Sequence, residues 1–246
     1  MPAPVVMRDV DNGQSTVVMT RDIDQSGHGD LHEKLLCQAG DRVFLASGCS
    51  RSSEEPTLPL PTVTREELGV TGWTTRKYMQ PGEEDVFLTL VRSVQPRVMV
   101  EIGCNEGLSA QTVLRNAPSI EKYIGVDVEA SYRFEGAWQQ HDRPAEPGRL
   151  VKNDPRFRLM LRGNGKAAEM PQSADVVFID GDHGPRHVLE DSLWAASVVR
   201  SGGMIIWHDY QNTPAEVTGV LDRLHAGGRN LIHVTGTSLV FERIAS

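Results

Sequence analysis

The sequence predicts an α/β protein: a largely parallel sheet with helices on both faces. Three observations carry that expectation. Short apolar runs recur at 98–102, 122–127, 157–161, 174–179 and 204–207, and most of them stop at a glycine or a polar residue. They are almost continuously apolar, as strands covered on both faces must be. Stretches with apolar residues at helical spacing separate several of them, the pattern of strand–helix–strand units.

The 246 residues suffice for one sizeable α/β domain with an extension, and we divide them into an N-terminal extension, 1–62, and a main domain, 63–246. Net charge is −8 without a run of Lys or Arg, which disfavours nucleic acid, because neutralising phosphates needs clustered cations. No leader and no span of eighteen apolar residues is visible, so a soluble, cytoplasmic protein without a membrane partner is expected. Cys37, Cys49 and Cys104 are odd in number and lack C-x-x-C spacing, which fits reduced thiols.

The elements follow in order. Residues 15–22 hold a short β-like run, 30–38 a helix with Leu31, Leu35 and Leu36 on one face, 42–46 a strand, and 50–61 a linker rich in Ser, Glu and Pro. The extension reads as a lid, an arm or a small appendage. Segment 73–78 mixes aromatic and basic residues and reads as a surface loop, with a substrate or cofactor contact as the alternative. Pro81 at a first helical position and Glu83, Glu84 and Asp85 in the first turn start a helix that Pro96 stops. Strand 98–102, helix 108–116 and strand 122–127 form the next unit. Residues 129–155 are a long polar connection suited to binding an acceptor. Strand 157–161 ends at a glycine-rich turn, 162–165. Strand 174–180 leads through Pro185 into a helix whose Leu189, Leu193, Ala196 and Val199 share a face, closing at Gly202 and Gly203. After strand 204–207, residues 213–216 form a capping box with Pro214 at the first helical position. Val217, Val220, Leu221 and Leu224 make that helix's buried face, Gly227 and Gly228 end it, and strands 231–235 and 239–244 close a hairpin around Gly236 and Thr237.

The chain is organised around residues 98–109, where a strand stops at Gly103, turns through Gly107 and enters a helix. Glycines there let the backbone turn sharply and bring bare N–H groups to a ligand. The spacing is not G-x-G-x-x-G, and Glu106 inside the loop would repel a pyrophosphate. Cys104 fills the loop as a small packing residue. Asp127, about twenty residues on and at the next strand's end, suits a ribose diol, which a carboxylate accepts with its two oxygens. Further strand ends carry Asp180, Asp182 and His183, then His208 and Asp209, and a parallel sheet gathers them on one edge.

The acid-x-Gly-x-x-x-Gly run from Glu101 to Gly107, the strand-end Asp127, I-D-G-D-H at 179–183 and G-G-x-I-x-x-H-D-Y at 202–210 resemble the class I S-adenosylmethionine-dependent methyltransferases. Residues 80–246 carry the resemblance, and the subgroup is that of the metal-assisted sugar and natural-product O-methyltransferases. It implies a Rossmann-like seven-stranded methyltransferase sheet, helices on both faces, and an antiparallel C-terminal hairpin. It implies S-adenosylmethionine as cofactor, held by Glu101, Gly103, Asn105, Gly107, Ser109, Asp127 and Asp180, with Gly163 and Asn164 beside the adenine. It places a divalent metal, Mg or Mn, on Asp180, His208 and Asp209, although a His-Asp pair departs from the usual oxygen donors. His183 or Asp182, beside Asp180, is the expected base for a small-molecule hydroxyl. A nicotinamide oxidoreductase, a cofactor-binding protein without turnover, and a metal-independent enzyme acting on nitrogen are the alternatives; a homo-oligomer is compatible with the sequence.

Overall fold

The computed structural model describes residues 35–39, 42–46, 59–70, 72, 74–75, 78–129, 132–133, 144–162, 171–213 and 216–245. It divides into two compact units, Met1–Pro56 and Thr57–Ser246. In the first, β1 (Leu35–Ala39) and β2 (Arg42–Ala46) pair antiparallel with Ala39 opposite Arg42. The second contains, in order, β3 (Thr62–Val63), α1 (Glu83–Val94), β4 (Val98–Ile102), α2 (Leu108–Asn116), β5 (Lys122–Val128), β6 (Phe157–Arg162), β7 (Ala174–Ile179), α3 (Pro185–Val198), β8 (Val199–Trp207), α4 (Val217–Ala226), β9 (Ile232–Val234) and β10 (Val240–Arg243).

Its sheet has eight strands in the order β3-β9-β10-β8-β7-β4-β5-β6. The expected seven are joined by the two-residue β3, which lies parallel to β9. Strands β8, β7, β4, β5 and β6 are mutually parallel, while β10 runs antiparallel to both β8 and β9. The C-terminal hairpin is therefore antiparallel as expected, and its second strand sits inside the sheet.

Period-two alternation sorts the strand side chains into two layers. Met99, Val176, Phe178, Met204 and Ile206 pack against α1 and α2, with Phe87 and Phe178 rings 4.4 Å apart. Val100, Ile102, Val177, Ile179, Ile205 and Trp207 pack against α3 and α4. Each fully buried large side chain contributes about 1.5–3 kcal/mol. The ladder continues just past the strand ends: Gly103 N donates to Val126 O at 2.8 Å, Asp180 N to Ile102 O at 2.8 Å, and His208 N to Ile179 O at 3.1 Å. Those bonds place the three polar turns on one rim.

Four local expectations are corrected. Residues 35–38 are strand, not helix, because pairing with β2 decides a short leucine run that periodicity alone leaves ambiguous. Pro81 precedes α1 by two residues, and Gly82, at φ 77°, is its N-cap. On α3 the buried face is Val188, Ser192, Ala195 and Val198, one residue out of phase with the leucine-based reading, and Val199 already begins β8. Ser192 belongs inside because its hydroxyl donates to Val188 O at 2.6 Å and accepts the Trp207 indole N–H at 2.9 Å. Finally, α4 starts at Val217 with Glu216 as N-cap and no side-chain cap, so Thr213 forms no capping box. The β-like run 15–22 lies outside the described residues.

Candidate functional site

Past the C-terminal ends of β4, β5, β7 and β8 lies a cavity of about 540 Å³, a size suited to a small ligand. Its first wall is the glycine corner. Gly103 has φ 86°, and a Cβ on it would stand 2.0 Å from the Asp180 carbonyl oxygen, so only glycine fits where β4 passes β7. Gly107, at φ 90°, is the N-cap of α2, and its Cβ would meet Val151 at 2.9 Å. The helix N-terminus consequently opens at the corner, beside Asn105 with φ 45°. Glu106 is paired with Arg149 at 2.8 Å.

Asp127 is the next-to-last residue of β5 and lines the cavity. One carboxylate oxygen accepts the Asn105 N–H at 2.7 Å and the other accepts Val128 N–H at 2.7 Å. The acid is thereby aimed and braced while remaining able to accept hydroxyl donors. Cys104 is buried, and burial together with Glu101 and Asp127 raises its thiol well above the usual range, which suits packing and not nucleophilic attack.

Glu101 occupies another place. Alternation turns it under α2, where it is fully buried, accepts the Tyr123 hydroxyl at 2.8 Å and is bonded by Ser109. Burial raises its pKa to about 8 against the opposing pull of those two hydroxyls, so it is a neutral acid at pH 7. It braces the corner from below, while Ser109 also reaches the cavity lining. Gly163 and Asn164 lie outside the described residues.

The opposite wall is the polar cluster. His183 Nε2 lies 2.8 Å from Asp209 Oδ2. Asp180, His183 and Asp209 each offer one ligand atom, all within 4.8 Å of one another. His208 is not in that group. It lines the same cavity and bridges the cluster to α1, with Nδ1 3.2 Å from Asp180 Oδ1 and 3.3 Å from Asp209 Oδ2, and Nε2 3.2 Å from Glu83 Oε2. The reason is the strand period: Met204, Ile206 and His208 alternate onto the α1 face, so the imidazole meets α1. Sequence reading assigned no site role to Glu83.

The charges are tightly coupled. Burial works against protonating His183, but its bond to Asp209 and the charges of Asp209 and Asp180 outweigh this and raise its pKa. His208 is raised further by Asp180, Asp209 and Glu83 against a strong burial penalty. Burial alone would raise Asp209, yet His183 and His208 hold its carboxyl well below the ordinary range. Burial raises Asp180 despite His208. Asp209 also stands at φ 62°, a strained conformation for a non-glycine residue. Asp182 accepts the Tyr132 hydroxyl at 3.0 Å and Gly184 N–H at 2.9 Å, and His187 Nε2 lies 3.3 Å from the same hydroxyl. Tyr132 brings the long 129–155 connection to this wall.

Such a site can hold a nucleoside-bearing cofactor on one side and take a proton from a ligand on the other. Three side chains of the second wall can also hold a divalent cation. No helix among the described residues is long and apolar enough to cross a membrane.

Residues 100–210 match the family model described as a methyltransferase domain. The O-methyltransferase NovP shares the fold at a TM-score of 0.52 with 16% identity, covering 67% of this chain and 80% of that one. The O-methyltransferase TomG from Streptomyces achromogenes, solved with S-adenosylmethionine, gives a TM-score of 0.44, 18% identity and coverages of 68% and 81%. An O-methyltransferase from Bacillus cereus solved with S-adenosylhomocysteine gives 0.48, 16%, and coverages of 79% and 92%. No curated protein sequence matches the chain. The domain match spans the glycine corner, Asp127 and both polar strand ends, so residues 100–210 are similar to a methyltransferase domain, in line with the motifs that resemble the class I S-adenosylmethionine-dependent methyltransferases.

Proposed function

We propose that residues 63–246 transfer the methyl group of S-adenosylmethionine to a hydroxyl of a small, non-anionic acceptor, such as a sugar or natural-product intermediate. The observation that carries this reading is the meeting of Asp180, His183 and Asp209 across one cavity from Gly103, Asn105 and Asp127. Gly103, Asn105 and Gly107 expose the corner to the cofactor, and Asp127 accepts its ribose hydroxyls. Ser109 lies at the corner, Glu101 supports it from below, and Asp180 stands between the cofactor side and the acceptor side. Gly163 and Asn164 remain the proposed border of the adenine.

Methyl transfer is an in-line displacement at an activated sulfonium, so the chain must align the acceptor and remove its proton. His183 takes that proton, and Asp209, 2.8 Å from its Nε2, stabilises the imidazolium that results. Asp182 lines the approach with Tyr132. Among the described lining residues there are eight carboxylates and neither Lys nor Arg, which disfavours a phosphorylated or carboxylated acceptor.

A second reading rests on the 4.8 Å grouping: Asp180, His183 and Asp209 hold a divalent cation in place of, or before, the role of His183 as base. Two carboxylates with one imidazole suit Mn better than Mg. When bound, such an ion lowers the pKa of an acceptor hydroxyl.

The test is calorimetric titration with S-adenosylhomocysteine, then transfer of labelled methyl to a panel of neutral sugars and phenols in EDTA, Mg²⁺ or Mn²⁺. Saturable cofactor binding and transfer in EDTA support the His183 reading; transfer only with an added ion supports the cation. Failure to bind the cofactor under every condition would sink both.

A further inference from the structure

Glu83 lies outside the matched methyltransferase stretch and is fully buried in the first turn of α1. Oε2 accepts the Gln80 N–H at 2.8 Å and lies 3.2 Å from His208 Nε2; Oε1 accepts the Ser238 N–H. Gln80 in turn donates from Nε2 to Ser238 Oγ at 3.1 Å. Beyond the imidazole, Nδ1 faces Asp180 and Asp209 at 3.2 and 3.3 Å. A helix start, the β9–β10 turn and two strand ends thus converge on one ring that is 7% exposed.

The geometry has a direct consequence for the acceptor wall. The two nitrogens of an imidazole are rigidly related, so fixing Nε2 against Glu83 fixes the direction of Nδ1. Between Asp180 and Asp209, Nδ1 is the group that draws two carboxylates from neighbouring strands toward a common point. Without it, like charges at the ends of β7 and β8 would repel. Partners one shell out from a reacting group commonly change its affinity or activity by about 10–100-fold.

We infer that Glu83 is a positioning residue of the transfer reaction, acting through His208 to hold Asp180 and Asp209 in the arrangement that faces the cavity. The inference rests on the proposed role of those two carboxylates. A purely structural role would instead anchor α1 to the β9–β10 turn through Ser238 and Gln80 and leave the carboxylates unaffected.

The deciding experiment is a double-mutant cycle on the full chain without ligand, read from the backbone amide resonances of Asp180, Asp209 and Ser238. Glu83→Gln is expected to shift all three. In the His208→Asn background it should still move Ser238 but add nothing at Asp180 and Asp209. An effect on the two aspartates that persists undiminished without His208, or one confined to Ser238, would overturn the inference. Glu83→Asp, shorter by one methylene, is read in the same way if Glu83→Gln does not fold. Glu83→Gln should also lower transfer by about 10–100-fold, with S-adenosylhomocysteine affinity within roughly threefold of wild type. Wild-type protein that fails to bind the cofactor would remove the functional reading, and the amide cycle would still decide whether Glu83 acts through His208.

Discussion

Replacing Gly103 by alanine separates backbone strain from steric exclusion at the cofactor corner. At φ 86° an alanine incurs left-handed strain of about 1–2 kcal/mol. Its Cβ would also stand 2.0 Å from Asp180 O, 2.5 Å from Asp180 C and 2.7 Å from Gly181 Cα. These are backbone atoms of the β7 end and cannot swing aside as a flexible side chain would, so overpacking adds about 1–3 kcal/mol. The sum is about 2–5 kcal/mol. Gly236 is the matched control: its φ is 74°, yet nothing lies within 4 Å of a Cβ, so Gly236→Ala carries the strain alone. With about 2–4 °C per kcal/mol for a domain of this size, thermal melts should place Gly103→Ala clearly below Gly236→Ala. Calorimetry should show Gly103→Ala weakened toward S-adenosylhomocysteine by at least about tenfold, since every 1.4 kcal/mol is a factor of ten. Equal melting temperatures for the two variants, or unchanged cofactor affinity in Gly103→Ala, would refute the claim that close passage of β4 past β7 demands glycine.

Asp127→Ala removes the acceptor for two backbone N–H groups and, on the proposed reading, for the ribose; hydrogen bonds to a charged group contribute about 1.5–3 kcal/mol each, so calorimetry should find S-adenosylhomocysteine binding weakened by about 100-fold or more. Glu101 has a folded pKa raised to about 8 from 4.5, so the stability it contributes is complete below 4.5 and is lost as pH rises through 8. Melts from pH 5 to 9 should therefore show Glu101→Gln losing less stability toward alkaline pH than wild type, and parallel curves would count against a neutral Glu101. On the proposed reading His183, whose pKa is raised, takes the acceptor proton only when deprotonated, so transfer should rise with pH through a value above 6.5. Asp209→Asn should shift that limb to lower pH and depress the plateau, measured as labelled methyl incorporated per minute.

The parts of the site legible in sequence are those encoded by contiguous residues. Gly103, Asp127, Asp180 and Asp209 each stand at or just past the end of an apolar run, and a parallel sheet delivers such positions to one edge whatever the side-chain details. Partnerships across the fold were less accessible. Glu83 and His208 are 125 positions apart, so their contact depends on α1 packing against β8, which no local pattern contains. His208 reads as a ligand because it sits beside Asp209, and the fold adds that its second ring nitrogen meets Glu83 on α1. The α3 face was misplaced by one residue because Leu189 and Leu193 outweigh Ser192 on any apolar count, while Trp207 makes that serine a buried partner. In the N-terminal unit the leucines at 35–36 fit a helix or a strand, and only the β2 pairing decides.

Strand β10 also fixes when the enzyme can become competent during synthesis. It lies between β8 and β9, so the strands β4 to β8 can assemble before it emerges, but the outer edge of β8 stays open until residues 240–243 have left the ribosome. An open, apolar strand edge is a template for pairing with another chain. The turn that places Ser238 against Glu83 forms with the same event. A nascent chain halted after α4 would thus hold the glycine corner and Asp127 yet lack the contact of Ser238 with Glu83, leaving it sticky at one edge before the cluster at the other is complete.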